Sequence, residues 1–365
     1  MQIHRLQHVN GNFGDTLNDW LWQDLLPGVF DEDPEVRFVG IGTILDRHLP
    51  PAPLTVVLGA GTGYAPPPPT VHDARWCVYG VRGPLTARVL GLSPRAALTD
   101  PAILLAVHPA FTDVPQGGGV VFVPHWKSVR YGQWREACAL AGIEFVDPCD
   151  DAHSVIRRIA GARKVIAESM HAAIVADAFR VPWVPVLLSR EVAPFKWADW
   201  AATLGLVYEP VPLGPSSPVE RLRERVLRHS AFAYVGRTPV EGTALRWSDD
   251  ELLRDHARAT ERITDPVQLH ASTVAEILLK RAARWSGPVH ARLAPGSLAR
   301  QREAAARQLD FLAHGDGQLS APAAHQRALT RCAEALQMMA RDHRAGRLRP
   351  RADDVPLSTP SRSMS

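Results

Sequence analysis

AGARKVIAESMHAAIVADAFRVPWVPV, residues 160–186, decides the fold. Within it Lys164–Ala167 is a short apolar run bounded by polar residues, which reads as a buried strand. Glu168-Ser169-Met170-His171 follows as a turn, Ala172–Phe179 as a helix, and Pro182–Leu188 as the next strand. A strand, a helix and a second strand in immediate succession form a unit of a parallel sheet. In such sheets ligands bind beyond the carboxyl ends of the strands, where helix N-termini present free N–H groups. His171 therefore stands where chemistry is expected, although a histidine after a strand also serves as a hydrogen-bonded structural group. Ser169 is placed to cap the helix.

Working outward, Val120–Val123 and Glu144–Val146 read as further strands of the same sheet. Helices are expected at about 133–141 and 151–159, giving β-α-β-α-β-α-β with right-handed crossovers. The first strand of this set ends in Pro124-His125-Trp126-Lys127-Ser128, another polar cluster at a carboxyl end. Upstream, Pro109–Gly119 is rich in Pro, Gly and polar residues and reads as a linker. Before it lie predicted strands at Gln2–Gln7, Val36–Ile41, Leu54–Leu58 and Trp76–Val81. Asn10-Gly11-Asn12-Phe13-Gly14-Asp15 leads into an amphipathic helix over about 16–26, with Leu17, Trp20, Leu21 and Leu25 on one face. Asp15 is favoured as the cap of that helix over a ligand contact.

Gly59-Ala60-Gly61-Thr62-Gly63-Tyr64 follows a strand and invites a dinucleotide-binding reading. The third glycine is misplaced, however, and Pro66–Pro69 cannot open a helix, so only close approach of backbone to some ligand is expected there. Arg82, before Gly83-Pro84 and a helix over 85–90, can hold a carboxylate or phosphate through two parallel hydrogen bonds, or pair with an acid of its own chain such as Asp100. Lys196 lies in Phe195-Lys196-Trp197-Ala198-Asp199-Trp200. Its aromatic neighbours anchor the backbone and leave the ammonium either for an anionic ligand or for solvent.

Helical patterns continue at 219–228, 249–260, 265–284, 297–312 and 323–339. The organisation expected is an N-terminal Rossmann-like domain (1–115), a second Rossmann-like domain carrying His171 (116–215), a helical extension (216–343) and a disordered tail (344–365). The 46% apolar content suffices for two cores, and a net charge of +3 without a basic stripe argues against a nucleic-acid partner. Cys77, Cys138, Cys149 and Cys332 form no C-x-x-C pair, so neither a zinc site nor a disulfide framework is indicated. The opening MQIHRLQHVNGNFGD has no signal-peptide core, and no apolar run is long enough to span a bilayer. The expectation is a cytoplasmic protein, at most peripheral at the inner membrane face.

Three clusters together resemble the polysaccharide pyruvyl transferase family. They are Asn12-Phe13-Gly14-Asp15, then Val81-Arg82-Gly83-Pro84-Leu85-Thr86 with Leu98-Thr99-Asp100-Pro101, and Val165-Ile166-Ala167-Glu168-Ser169-Met170-His171-Ala172 through Val181-Pro182. Gly40–Leu45 and Phe195–Trp200 look like its succinoglycan ketolase-like branch. The resemblance covers about residues 1–215. It implies an α/β fold of two Rossmann-like domains facing a cleft (GT-B-like), here with an appended C-terminal helical region. It also implies transfer of pyruvate from phosphoenolpyruvate, as co-substrate, to two hydroxyls of a sugar; no other cofactor is expected, and the sequence shows no metal cluster.

On that reading His171 is the general acid or base, with Glu168 as an alternative base. Many relatives carry Arg where this chain has Ser169, so the donor anion falls to Arg82, Lys127, Lys196 and the helix start at Ser169. Asn12, Gly14, Asp15, Gly61, His125 and Glu168 border the cleft or orient a saccharide or lipid-linked saccharide acceptor, and contact with membrane-bound assembly machinery is expected. The competing readings are a nucleotide-sugar glycosyltransferase, for which Glu191 is the candidate ribose-binding acid, and a scaffold of a polysaccharide assembly complex.

Overall fold

The computed structural model of the chain describes residues 1–5, 11–293 and 295–348. Strand β1 (Gln2–Ile3) is followed by helix α1 (Phe13–Leu25), β2 (Val36–Val39), β3 (Leu54–Leu58), β4 (Trp76–Gly80) and α2 (Pro84–Val89). The four strands form a parallel sheet in the order β1-β2-β3-β4. The expected first strand through Gln7 is thus shorter, and Leu6 and Gln7 lie outside the described residues, as does the tail beyond residue 348.

After 3-10 turns at Pro101–Val107 and Pro109–Phe111 come β5 (Val120–Val123), α3 (Trp126–Tyr131), α4 (Trp134–Ala141), β6 (Glu144–Phe145), α5 (Ala152–Gly161), β7 (Lys164–Ala167), α6 (Met170–Ala178), β8 (Trp183–Leu187), α7 (Pro194–Thr203) and β9 (Val211–Pro212). These strands make a second parallel sheet in the order β6-β5-β7-β8-β9. The chain steps from β5 outward to β6, then returns across β5 to β7. Helices on either side of that reversal leave a crevice at the carboxyl ends of β5 and β7, the usual ligand position in open parallel sheets.

The two sheets share apolar packing. Phe38 and Leu58 of the first, Val123 and Ala167 of the second, and α6 between them belong to one buried cluster. Every residue of α6 is buried, as the apolar composition of Ala172–Ala178 requires. The remaining helices are α8 (Pro218–Leu227), α9 (Asp249–Thr264), α10 (Pro266–Leu293), α11 (Pro295–His314) and α12 (Pro322–Arg344). Helix α10 packs against α8, α9 and α11, while α11 and α12 also reach the sheets. On α11, Ala305, Leu309 and Leu312 pack with Phe122 and Trp134 of the second sheet's layer, while α12 turns back to β4 and the Pro101–Val107 turn and contributes Cys332, Leu336 and Met339 to the shared cluster. The Arg- and Ala-rich composition reflects one face packed on a sheet or a neighbouring helix and one in water.

Candidate functional site

Between the sheets a cavity of about 270 Å³ opens at the carboxyl ends of β5 and β7. Asn12 and Asp15 enter it from the start of α1, and Thr43 and Tyr64 from loops after β2 and β3. His125, Trp126 and Lys127 enter after β5, Ser169 and His171 after β7, Glu191 and Lys196 after β8, and Phe232 and Tyr234 from the loop after α8.

The start of α1 is built by Asn12, whose side chain accepts from the backbone N–H groups of Gly14 (3.0 Å) and Asp15 (3.3 Å). Asn12 is the cap, not Asp15. The Asp15 carboxylate instead accepts from the Asn12 amide and borders the cavity. Gly14 is there because of His171: a Cβ on Gly14 would stand 1.9 Å from Nδ1 and 2.3 Å from Cγ of the imidazole. The ring lies against the bare backbone of α1, edge-on to Phe13.

Helix α6 starts two residues earlier than the sequence suggests, at Met170, so His171 belongs to its first turn. Ser169 is its N-cap residue but makes no side-chain cap bond and lines the cavity. His171 is 8% exposed. Burial, then the positive charges of Lys196 and Arg82, push its pKa down to about 3, so the ring is neutral near pH 7. Its Nε2 is buried and lies 3.8 Å from Oδ2 of Asp100, too long for a hydrogen bond but within charge-pairing range. Asp100 is fully buried; its other oxygen accepts from the Ala102 N–H at 3.0 Å, and burial raises its pKa to about 6. Among the described residues neither Asp100 Oδ2 nor His171 Nε2 has a hydrogen-bond partner, so a proton arriving on the imidazole has a carboxylate beside it. The sequence marked Asp100 only as a partner for Arg82.

Arg82 does not reach the cavity. It is 0% exposed; Nε bonds to Asp199 at 3.2 Å, one terminal nitrogen to the Thr43 hydroxyl at 2.7 Å and the other to the Thr62 carbonyl at 2.8 Å. Asp199 in turn accepts from the backbone N–H (2.9 Å) and hydroxyl (2.6 Å) of Thr86. The two-bond grip on a donor anion expected of Arg82 is replaced by a buried clamp joining the β4–α2 turn to α7, and its partner is Asp199, not Asp100. Gly61 is likewise no cleft residue: its missing side chain makes room for Arg82, since a Cβ there would fall 2.4 Å from the guanidinium carbon.

Glu168 is a staple. Buried at the end of β7, it accepts from the backbone N–H of His125 (2.8 Å) after β5 and of Leu188 (3.2 Å) after β8, tying three strand ends together. Burial raises its pKa against those hydrogen bonds, and it lies outside the cavity lining, which removes it as the alternative base. His125 borders the cavity with its pKa held well below the ordinary value, first by burial and then by Lys196 and Lys127.

Lys196, on the first turn of α7, carries the cavity's positive charge. Its Nζ donates to the Tyr64 hydroxyl and sits 4.9 Å from the centre of that ring. No carboxylate pairs with it among the described residues, and its field acts on both His125 and His171. Lys127 is different: its Nζ donates to Oε1 of Glu191 at 2.6 Å, and burial lowers its pKa to about 8. The other oxygen of Glu191 is engaged by Arg223. Tyr64, Tyr234 and Phe232 went unnoticed in the sequence. Tyr64 could have been found from its place after a strand-end glycine turn, whereas nothing local marks Phe232.

Two parallel sheets with a cationic, histidine-bearing cavity at a strand-order reversal define an α/β protein with a ligand site at its strand ends. The matching sequence places it: residues 53–190 match the polysaccharide pyruvyl transferase family, and the chain belongs to that family. It is similar to the succinoglycan biosynthesis protein ExoV of Rhizobium meliloti (strain 1021), 44% identical over 233 residues that cover 64% of this chain and 72% of the relative. No solved structure matches it.

Proposed function

We propose that the protein transfers the pyruvyl group of phosphoenolpyruvate to two hydroxyls of a saccharide or lipid-linked saccharide, forming a cyclic ketal in exopolysaccharide biosynthesis. The two sheets act as the two lobes of a GT-B-like enzyme, working in the cytoplasm at the inner membrane face. What carries the reading is Lys196, a cation without a carboxylate partner among the described residues, set beside two neutral imidazoles in one cavity. A small, doubly anionic donor supplies the missing negative charge, and its binding leaves a neutral base free to act.

His171, neutral before reaction, takes the proton of the first sugar hydroxyl as that oxygen bonds to the central carbon of the donor. The same proton is delivered to the methylene carbon, which becomes the methyl group. Asp100 favours the imidazolium while it lasts. The carbon–oxygen bond to phosphate then breaks, the second hydroxyl adds to the same carbon, and its proton leaves with phosphate. Such proton transfer contributes about 10²- to 10⁴-fold. Lys196 offsets the charge on the leaving phosphate. Ser169, in place of the arginine of many relatives, leaves that task to Lys196.

Glu191, the acid a nucleotide-sugar reading needs for the ribose, has its oxygens taken by Lys127 and Arg223. Incubation with phosphoenolpyruvate and saccharide extracts, followed by phosphate release and product mass, tests the proposal. The expected product gains a pyruvate ketal, His171→Ala abolishes it while the protein stays folded, and Lys196→Met raises the donor KM. Stabilisation by UDP-sugars with none by phosphoenolpyruvate would overturn it.

A further inference from the structure

The cavity is chemically divided. One end holds Lys196 with His125 and His171. At the other, Lys127 lies between two aromatic rings, its Nζ 5.5 Å from the centre of Trp126 and 5.6 Å from that of Phe232, and both rings line the cavity while remaining partly exposed. Charge at this second end is internally balanced. Lys127 and Arg223 share Glu191, and a second carboxylate, Glu276, is near enough to favour the charged forms of both cations. An anionic donor gains less here than at Lys196, because binding it would compete with carboxylates already in place.

A neutral polyol has different needs. A pyranose presents a C–H face that packs on an aromatic ring and, at its rim, hydroxyls that both donate and accept. Trp126 and Phe232 supply the faces, and Lys127, held in place by Glu191, keeps further N–H donors for a hydroxyl oxygen.

We propose that the Trp126–Phe232 end of the cavity, with Lys127 and Glu191, is the acceptor subsite, taking one pyranose ring against the aromatic faces and directing two of its hydroxyls toward His171. The assignment deepens the ketal-transfer reading and rests on it. Saturation-transfer NMR with methyl β-glucoside, methyl β-galactoside and methyl β-mannoside tests it, with thermal shift by phosphoenolpyruvate measured on the same proteins.

Wild-type protein is expected to bind at least one pyranoside. Phe232→Ala and Trp126→Ala are expected to weaken that binding about tenfold or more, with the phosphoenolpyruvate shift unchanged. Phe232→Leu keeps the apolar volume but not the flat face, and is expected to weaken the pyranoside as well. Pyranoside binding unaltered in all three variants, absent from the wild type, or unaltered while the phosphoenolpyruvate shift falls, would overturn the assignment. A wild type that binds pyranosides through these rings yet shows no phosphoenolpyruvate shift would instead sink the ketal-transfer reading and leave a sugar subsite standing.

Discussion

Gly14→Ala adds one methyl group where α1 meets His171, and its consequences can be worked from the geometry. The new Cβ would lie 1.9 Å from Nδ1, 2.3 Å from Cγ and 2.7 Å from Cε1 of the imidazole. Ordinary contact begins near 3.4 Å, so the ring has to retreat by about 1.5 Å or α1 has to lift. A misplacement of about 1 Å in a reacting group costs on the order of 10²-fold in rate. The expected loss in kcat is therefore at least about 10²-fold, approaching that of His171→Ala. Stability moves little by comparison: overpacking costs about 1–3 kcal/mol, partly offset by about 1 kcal/mol of helix propensity gained over glycine within α1.

The cross-check is the double variant. Once His171→Ala has removed the ring, Gly14→Ala no longer meets it, and the alanine should stabilise the double variant relative to His171→Ala alone. Steady-state phosphate release gives the rates and urea unfolding the stabilities, and the cycle isolates the contact. A Gly14→Ala enzyme with wild-type kcat, or two substitutions whose stability effects simply add, would refute the placement of the imidazole against α1.

Asp199→Ala leaves Arg82 buried without its carboxylate and is expected to cost about 3–5 kcal/mol in urea unfolding, whereas Arg82→Met with Asp199→Leu should recover most of that loss. Glu168→Gln removes one acceptor from the strand-end staple, with an expected loss of about 1–3 kcal/mol and a pH–rate profile of unchanged shape; loss of the acidic limb would reinstate Glu168 as a base. The stability of the protein should fall on acidification. The folded pKa of His171, about 3, lies below the ordinary 6.5, so the unfolded chain takes up a proton between these values that the folded chain does not. The stabilisation is complete above pH 6.5 and is lost as pH falls toward 3. Between pH 6.5 and 5 His171 accounts for about 2 kcal/mol of this decline, to be read as a shallower slope in His171→Gln. Asp100 acts with the opposite sign, since its folded pKa is raised to about 6 and it weakens the fold as pH rises from about 3.8 through 6; Asp100→Asn should remove that opposing trend and lower kcat with little change in donor KM.

Sequence by itself determined the parallel-sheet architecture and the neighbourhood of the site. Continuous apolar runs at Lys164–Ala167 and Val120–Val123, each ending in a polar cluster, are local signals. Strands of a parallel sheet align their carboxyl ends, so His171, His125 and Lys127 had to come to one edge. Asn12, Ser169 and Lys196 lie in that same cavity because each sits at or beside a helix start. What a charged residue does once there depends on partners 20 to 117 positions away, and the tertiary structure alone decided it. Arg82 finds Asp199 at a separation of 117 residues and becomes a clamp; Glu168 meets two strand ends and becomes a staple; His171 meets Asp100 and the bare backbone of Gly14 and becomes a neutral, positioned imidazole. Phe232 reaches the cavity only because α8 brings its following loop back over the second sheet. Burial and pairing are properties of the assembled fold, and they set whether an ionisable side chain binds, reacts or holds the chain together.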